Sequence, residues 1–154
     1  MRRAVVGAAG TIGLVILTGL SAYAFAAPTG PTKRAFTETL TGATISANES
    51  AYKVVSSLDG TGAAIQHISL SGTTFPLSGK LTETTYFADG VAKAKGTFKL
   101  SALFENGLST ITGSGKCVGG TRVHKKATCT FTFKGTYNSK TTIAVVQVIG
   151  TETR

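Results

Sequence analysis

Apolar and polar positions alternate along most of this chain with a period of two, as in strands that bury one face and wet the other. The clearest run is Ala127-Thr128-Cys129-Thr130-Phe131-Thr132-Phe133. Ala127, Cys129, Phe131 and Phe133 share one face, while Thr128, Thr130, Thr132 and Lys134 share the other. Val91 to Ala102 repeats the pattern, with Ala94, Gly96, Phe98 and Leu100 opposite Lys93, Lys95, Thr97 and Lys99. Further strands are predicted over Phe36–Ile45, Tyr52–Leu58, Ala64–Leu70, Gly79–Phe87 and Leu108–Thr112. The last strand, Thr141–Ile149, is apolar on both faces: Ile143, Val145 and Ile149 on one, Ala144, Val146 and Val148 on the other. That composition predicts burial on both sides. Gly113 to Gly120 reads as a glycine-rich corner. Asp59-Gly60-Thr61-Gly62, Asp89-Gly90 and Asn106-Gly107 supply turns.

The pattern gives about eight strands joined by short hairpins, with no helical periodicity of useful length beyond the leader. The predicted fold class is all-β: an antiparallel, about eight-stranded β-barrel preceded by an N-terminal signal helix. Closing the sheet removes its exposed edges, and a barrel of this size either fills its interior or holds one small ligand.

The amino terminus differs in kind. Arg2 and Arg3 precede an uncharged, largely apolar run that ends in Ala24-Phe25-Ala26, the pattern of a secretory signal peptide cut between Ala26 and Ala27. The expected organisation is a signal peptide at 1–26, a flexible lead-in at 27–34 and a barrel domain at 35–154, secreted or otherwise extracytoplasmic. If it were retained, the leader could act as a membrane anchor, because the uncharged run is long enough to span. Export agrees with the cysteines. Cys117 and Cys129 are the chain's two cysteines, lie twelve residues apart and are expected to form a disulfide between neighbouring strands.

The chain carries 16 Lys and Arg against 7 Asp and Glu, a net charge of +9. Most of the positive charge falls between Lys80 and Lys134. The candidate basic surface is Lys93, Lys95, Lys99, Arg122, Lys125 and Lys126. Such a surface on an exported domain can meet an anionic envelope polymer, lipid head groups or nucleic acid. A solvated face that keeps the protein soluble is the preferred reading, and nucleic acid is ranked last.

No catalytic signature is present. Gly115-Lys116 lacks the rest of a phosphate-binding loop, since Thr110 and Cys117 occupy the flanking key positions. No Gly-x-Ser-x-Gly elbow occurs. Two cysteines and one nearby histidine lack the spacing of a zinc site, so no metal or cofactor is expected. His67 reads as a wet-face or hydrogen-bonded structural histidine. Glu83 is the more interesting group. It shares parity with Leu81 and Phe87, and opposes Thr82, Thr84 and Tyr86. If Leu81 and Phe87 face inward, Glu83 is an interior carboxyl with a raised pKa. If Tyr86 faces inward, Glu83 is a surface charge, and this second arrangement is the preferred one. The candidate ligand-binding residues are Glu83, Tyr86, Phe98, Phe131 and Phe133.

The run Gly113-Ser114-Gly115-Lys116-Cys117-Val118-Gly119-Gly120-Thr121, followed by a Thr/Phe strand and Gly135-Thr136-Tyr137, resembles the glycine texture of allene oxide cyclase-like and dirigent-like barrels. It is also similar to small exported bacterial β-barrel proteins. Arg122 departs from the pattern, where another glycine would often stand. The resemblance implies an eight-stranded barrel around an apolar cavity and carries over no catalytic residue. Three functions therefore stand open: a barrel that holds a hydrophobic small molecule without catalysis, a cyclase- or isomerase-like enzyme using Glu83, and a basic surface module. The first is preferred.

Overall fold

A computed structural model describes residues 30–154, so the signal peptide and its cleavage site lie outside the described residues. Eight strands run in chain order: β1 (Lys33–Ser46), β2 (Glu49–Ser56), β3 (Gly60–Ser71), β4 (Leu77–Phe87), β5 (Gly90–Leu100), β6 (Leu108–Gly120), β7 (Thr128–Asn138) and β8 (Ile143–Thr153). Each pairs antiparallel with the next, and β8 pairs with β1 to close the barrel. β1 begins inside the expected lead-in, since Lys33 and Arg34 pair with Thr153 and Glu152. Register shifts at Thr44/Ser46 and at Ala92/Ala94 add the local twist that a closed sheet requires.

Connections alternate between two ends because the strands form an uninterrupted meander. One end, the mouth, carries the β1–β2, β3–β4, β5–β6 and β7–β8 connections. The other end, the base, carries the remaining connections and the carboxyl terminus. The β6–β7 connection at the base contains a short 3-10 turn, Arg122–His124.

Strand parity sets the interior. Phe36, Leu40, Tyr52, Val54, Ala64, Leu81, Phe98, Cys129, Phe133, Ala144, Val146 and Val148 form one buried cluster. The glycine-rich segment expected to be a corner is instead the second half of β6. Its inward glycines face phenylalanines on the neighbouring strand: Gly113 pairs with Phe133 and Gly115 with Phe131. A Cβ at Gly113 would collide with the Phe133 ring, and one at Gly115 with the Phe131 ring. The same arrangement recurs around the barrel. Gly79 pairs with Phe98, Gly150 with Phe36 and Gly42 with Tyr52, with ring atoms 2.7–2.8 Å from where a Cβ would stand. Aromatic rings therefore lie against the wall over bare backbone.

The expectation that β8 is buried on both faces is corrected. Ile143, Val145 and Ile149 are 47%, 42% and 63% exposed. Among the described residues no second layer packs against the outside of the barrel. Most strand threonines, including Thr39, Thr97, Thr112, Thr130 and Thr132, also point to solvent and do not line the interior.

Cys117 of β6 and Cys129 of β7 form the expected disulfide, with their Cα atoms 4.8 Å apart. It ties together the two strands that flank the base turn. Closing a loop of this length stabilises a chain by about 3 kcal/mol through the unfolded state. Reduction should therefore lower the urea midpoint; an unchanged midpoint would show that the bond constrains nothing. Parity gives a second test by the same measurement. Phe133→Ala should cost about 3–5 kcal/mol and Lys134→Ala less than about 0.5. Gly113→Ala, which forces a methyl group into the Phe133 ring, should cost about 1–3 kcal/mol.

Candidate functional site

The rings held against the wall leave a chamber of about 300 Å³ in the mouth half of the barrel. Its wall is almost wholly apolar, built from Leu40, Tyr52, Ile68, Leu81, Phe98, Leu100, Ile111, Phe133, Val146 and Val148. Leu70, Phe75 and Leu103 line its outer part and are 38–42% exposed. Apolar side chains thus continue from the interior out to the rim.

Glu83 stands at the inner end of this chamber and also lines a smaller space of about 60 Å³ nearer the base. The surface-charge reading of Glu83 is corrected: on β4, Leu77, Leu81 and Thr85 are buried, and Glu83 shares their parity. Its two carboxyl oxygens accept from Gln66 Nε2 at 3.1 Å and Thr85 Oγ1 at 3.0 Å. Burial pushes its pKa up, and the two hydrogen bonds oppose that shift only in part. Tyr52 lines the same chamber, and burial raises its hydroxyl pKa; the nearby Glu83 adds to the rise.

Tyr86 is corrected in the same way. It belongs to the other parity and is 53% exposed on the outer surface, so it cannot line the chamber. Phe98 and Phe133 do line it. Phe131 faces inward but borders the smaller space beside the disulfide, together with Glu38 and Glu152. His67 faces solvent. Lys93, Lys95 and Lys99 are exposed along β5, where Lys95 lies directly opposite Lys116 of β6. Arg122, Lys125 and Lys126 are exposed at the base.

Several inward groups escaped the sequence reading. Glu38 shares parity with buried Phe36 and Leu40 on β1, a signal of the same kind as that of Glu83. Its pKa is pushed from 4.5 to about 7, chiefly by burial and next by the charge of Glu83. At the base, Arg154 Nη2 donates to both Asp59 oxygens at 2.5 and 2.6 Å, and its Nε donates to Glu152 Oε2 at 2.6 Å. His124, 1% exposed, stacks on Phe87 with ring centroids 5.8 Å apart. Its Nε2 lies 3.4 Å from Asp89 and its Nδ1 3.8 Å from Glu152. No sequence signal distinguishes His124 from its basic neighbours, because the turn that carries it buries His124 while leaving Val123 46% exposed.

Asp59, Asp89 and His124 bring ligand atoms within 4.8 Å of one another. The Arg154 guanidinium already bonds Asp59 and lies 4.0 Å from Asp89, so a cation of the chain itself serves these carboxylates.

No family model, curated protein or solved structure matches this chain. The Cys117–Cys129 disulfide is consistent with an extracytoplasmic location.

The interior carboxyls make stability depend on pH. Below pH 4.5 Glu38 is protonated in folded and unfolded chains alike; between 4.5 and about 7 the unfolded chain releases the proton and the folded one keeps it. The folded pKa is the higher one, so stability is lost as pH rises through that window, by about 3 kcal/mol for this group. Glu83 acts in the same direction. The protein should therefore resist urea better at pH 5 than at pH 8. Glu38→Gln should shrink the difference and the Glu38→Gln, Glu83→Gln pair should shrink it further. The same fall in both variants would place the sensitive group elsewhere.

Proposed function

We propose that this protein is an extracytoplasmic carrier that holds a small hydrophobic molecule in the mouth half of its barrel. The observation that carries the reading is an apolar chamber of about 300 Å³, open at one end and lined by a single carboxyl. That volume lies at the small end of the range for ligand pockets, which are mostly apolar with a few placed polar groups. The resemblance to allene oxide cyclase-like and dirigent-like barrels leads to the same cavity-bearing architecture.

An enzyme is the second reading, and Glu83 favours it as an interior acid with a raised pKa. General acid–base work also needs a partner in reach of the substrate. His67 and Tyr86 both face solvent and cannot serve Glu83. Tyr52 is the titratable side chain left beside Glu83 in the chamber wall, apart from Tyr137 nearer the mouth. Binding without chemistry is therefore the better reading. A basic surface module would rest on exposed lysines alone and leaves the chamber without a use.

Titration with the neutral fluorophore N-phenyl-1-naphthylamine tests the carrier. One saturable site per chain should appear. It should be lost in Ile68→Trp, which fills the chamber, and kept in Lys95→Ala, which alters only the outer face. A wild-type protein that shows no saturable uptake is not a carrier of this kind.

A further inference from the structure

The chamber's single carboxyl and its lack of any base define which hydrophobic molecules suit it. Every described lysine is exposed on the outer surface or in the connections. No Lys, Arg or His lines the chamber. At the base, Arg154 is engaged by Asp59 and Glu152, and His124 lies between Asp89 and Glu152. Neither side chain reaches Glu83: among the described residues Glu83 and Glu38 form no salt bridge. The inner end of an apolar tube therefore presents a carboxyl with no counter-ion, and a second one, Glu38, lies close enough to feel its charge.

We propose that the chamber selects an amphiphile with a basic nitrogen at one end, whose apolar body fills the space beneath the mouth and whose protonated amine pairs with Glu83. This rests on the carrier reading and narrows it. The Glu83 carboxylate keeps the bonds from Gln66 and Thr85 when the amine arrives, so its side of the new ion pair stays hydrogen-bonded, as a buried pair requires. An alkyl carboxylate would bring its charge against Glu83 with no cation to receive it. The outer lysines do not reverse this preference. They lie on the far side of the wall in water, where salt screens a charge over about 8–10 Å.

Calorimetric titration of the purified, oxidised protein at pH 7.5 with decylamine, decanol and decanoate, each below its aggregation threshold, decides the matter. Decylamine should bind about tenfold or more tighter than decanol, and decanoate weakest. Glu83→Gln should remove the advantage of the amine over decanol. Equal binding of decylamine and decanol to the wild-type protein overturns the amine proposal and leaves the carrier reading standing, whether or not the variant folds. Tighter binding of decanoate overturns it as well. An amine preference that survives in a folded Glu83→Gln variant moves the selecting group away from Glu83 and also overturns it. Absence of saturable binding for all three overturns the carrier reading and this inference together.

Discussion

Large side chains and missing side chains face each other across this sheet, and the rest of the interior follows from that match. An eight-stranded barrel has room for roughly a filled core or one small ligand, and which of the two results depends on where the bulky residues point. Here each of several aromatic rings lies over a glycine of an adjacent strand: Phe98 over Gly79, Phe36 over Gly150, Phe133 over Gly113 and Tyr52 by Gly42. A residue with a Cβ at any of these glycines would push its ring toward the axis. Rings held on the wall leave the axis free, and the aliphatic residues between them coat the space that remains. The chamber is thus a consequence of register. A slip of one residue would turn the glycines outward and the rings away from them.

Charge is sorted by the same parity. The lysines of β4 to β7 all take the outward set, while Glu38, Glu83 and Glu152 take the inward one. Putting Lys95 opposite Lys116 costs something in like-charge repulsion, though water and salt weaken it. Interior carboxyls are a harder problem, and the two ends of the barrel solve it differently. At the base, Asp59 and Glu152 both bond Arg154, and the turn stapled by the disulfide brings His124 between Glu152 and Asp89. Further in, Glu38 and Glu83 have no such partner and hold their protons to higher pH.

How much of this was legible in the sequence differs from element to element. Alternation was enough for β5 and β7, where lysines or threonines oppose phenylalanines and the faces are unambiguous. It was enough for the count of strands and, with the spacing of the two cysteines, for the disulfide. It failed at β4 because Tyr86 and Phe87 are adjacent aromatics on opposite faces, and local chemistry does not say which is inside. The neighbour decides it: Phe87 is the one that meets Gly62 and His124. It failed at β8 because apolar residues on both faces predict burial on both sides, and among the described residues nothing covers the outer face. Glu38 could have been found from Phe36 and Leu40 two residues either side. The base network could not, since Asp59, Asp89, His124 and Arg154 come from four separate connections or ends that meet only when the barrel closes.

The two ends also differ in how they are closed. The base is crossed by short turns, the disulfide and an ion network in which Asp59, Glu152 and His124 are all nearly buried. Opening it would strand at least one of those charges without its partner, the arrangement that costs a folded protein most. The mouth has no such closure. The end of β3 and the β3–β4 and β5–β6 connections place Leu70, Phe75 and Leu103 partly in the chamber and partly in solvent. A hydrophobic body entering there would trade water for apolar contact from its first step. The end of the molecule that leads would meet Glu83 last. For the proposed ligand, entry from the mouth would order the two selections in space: the apolar rim would act first on its body, and the carboxyl at the inner end afterwards on its head.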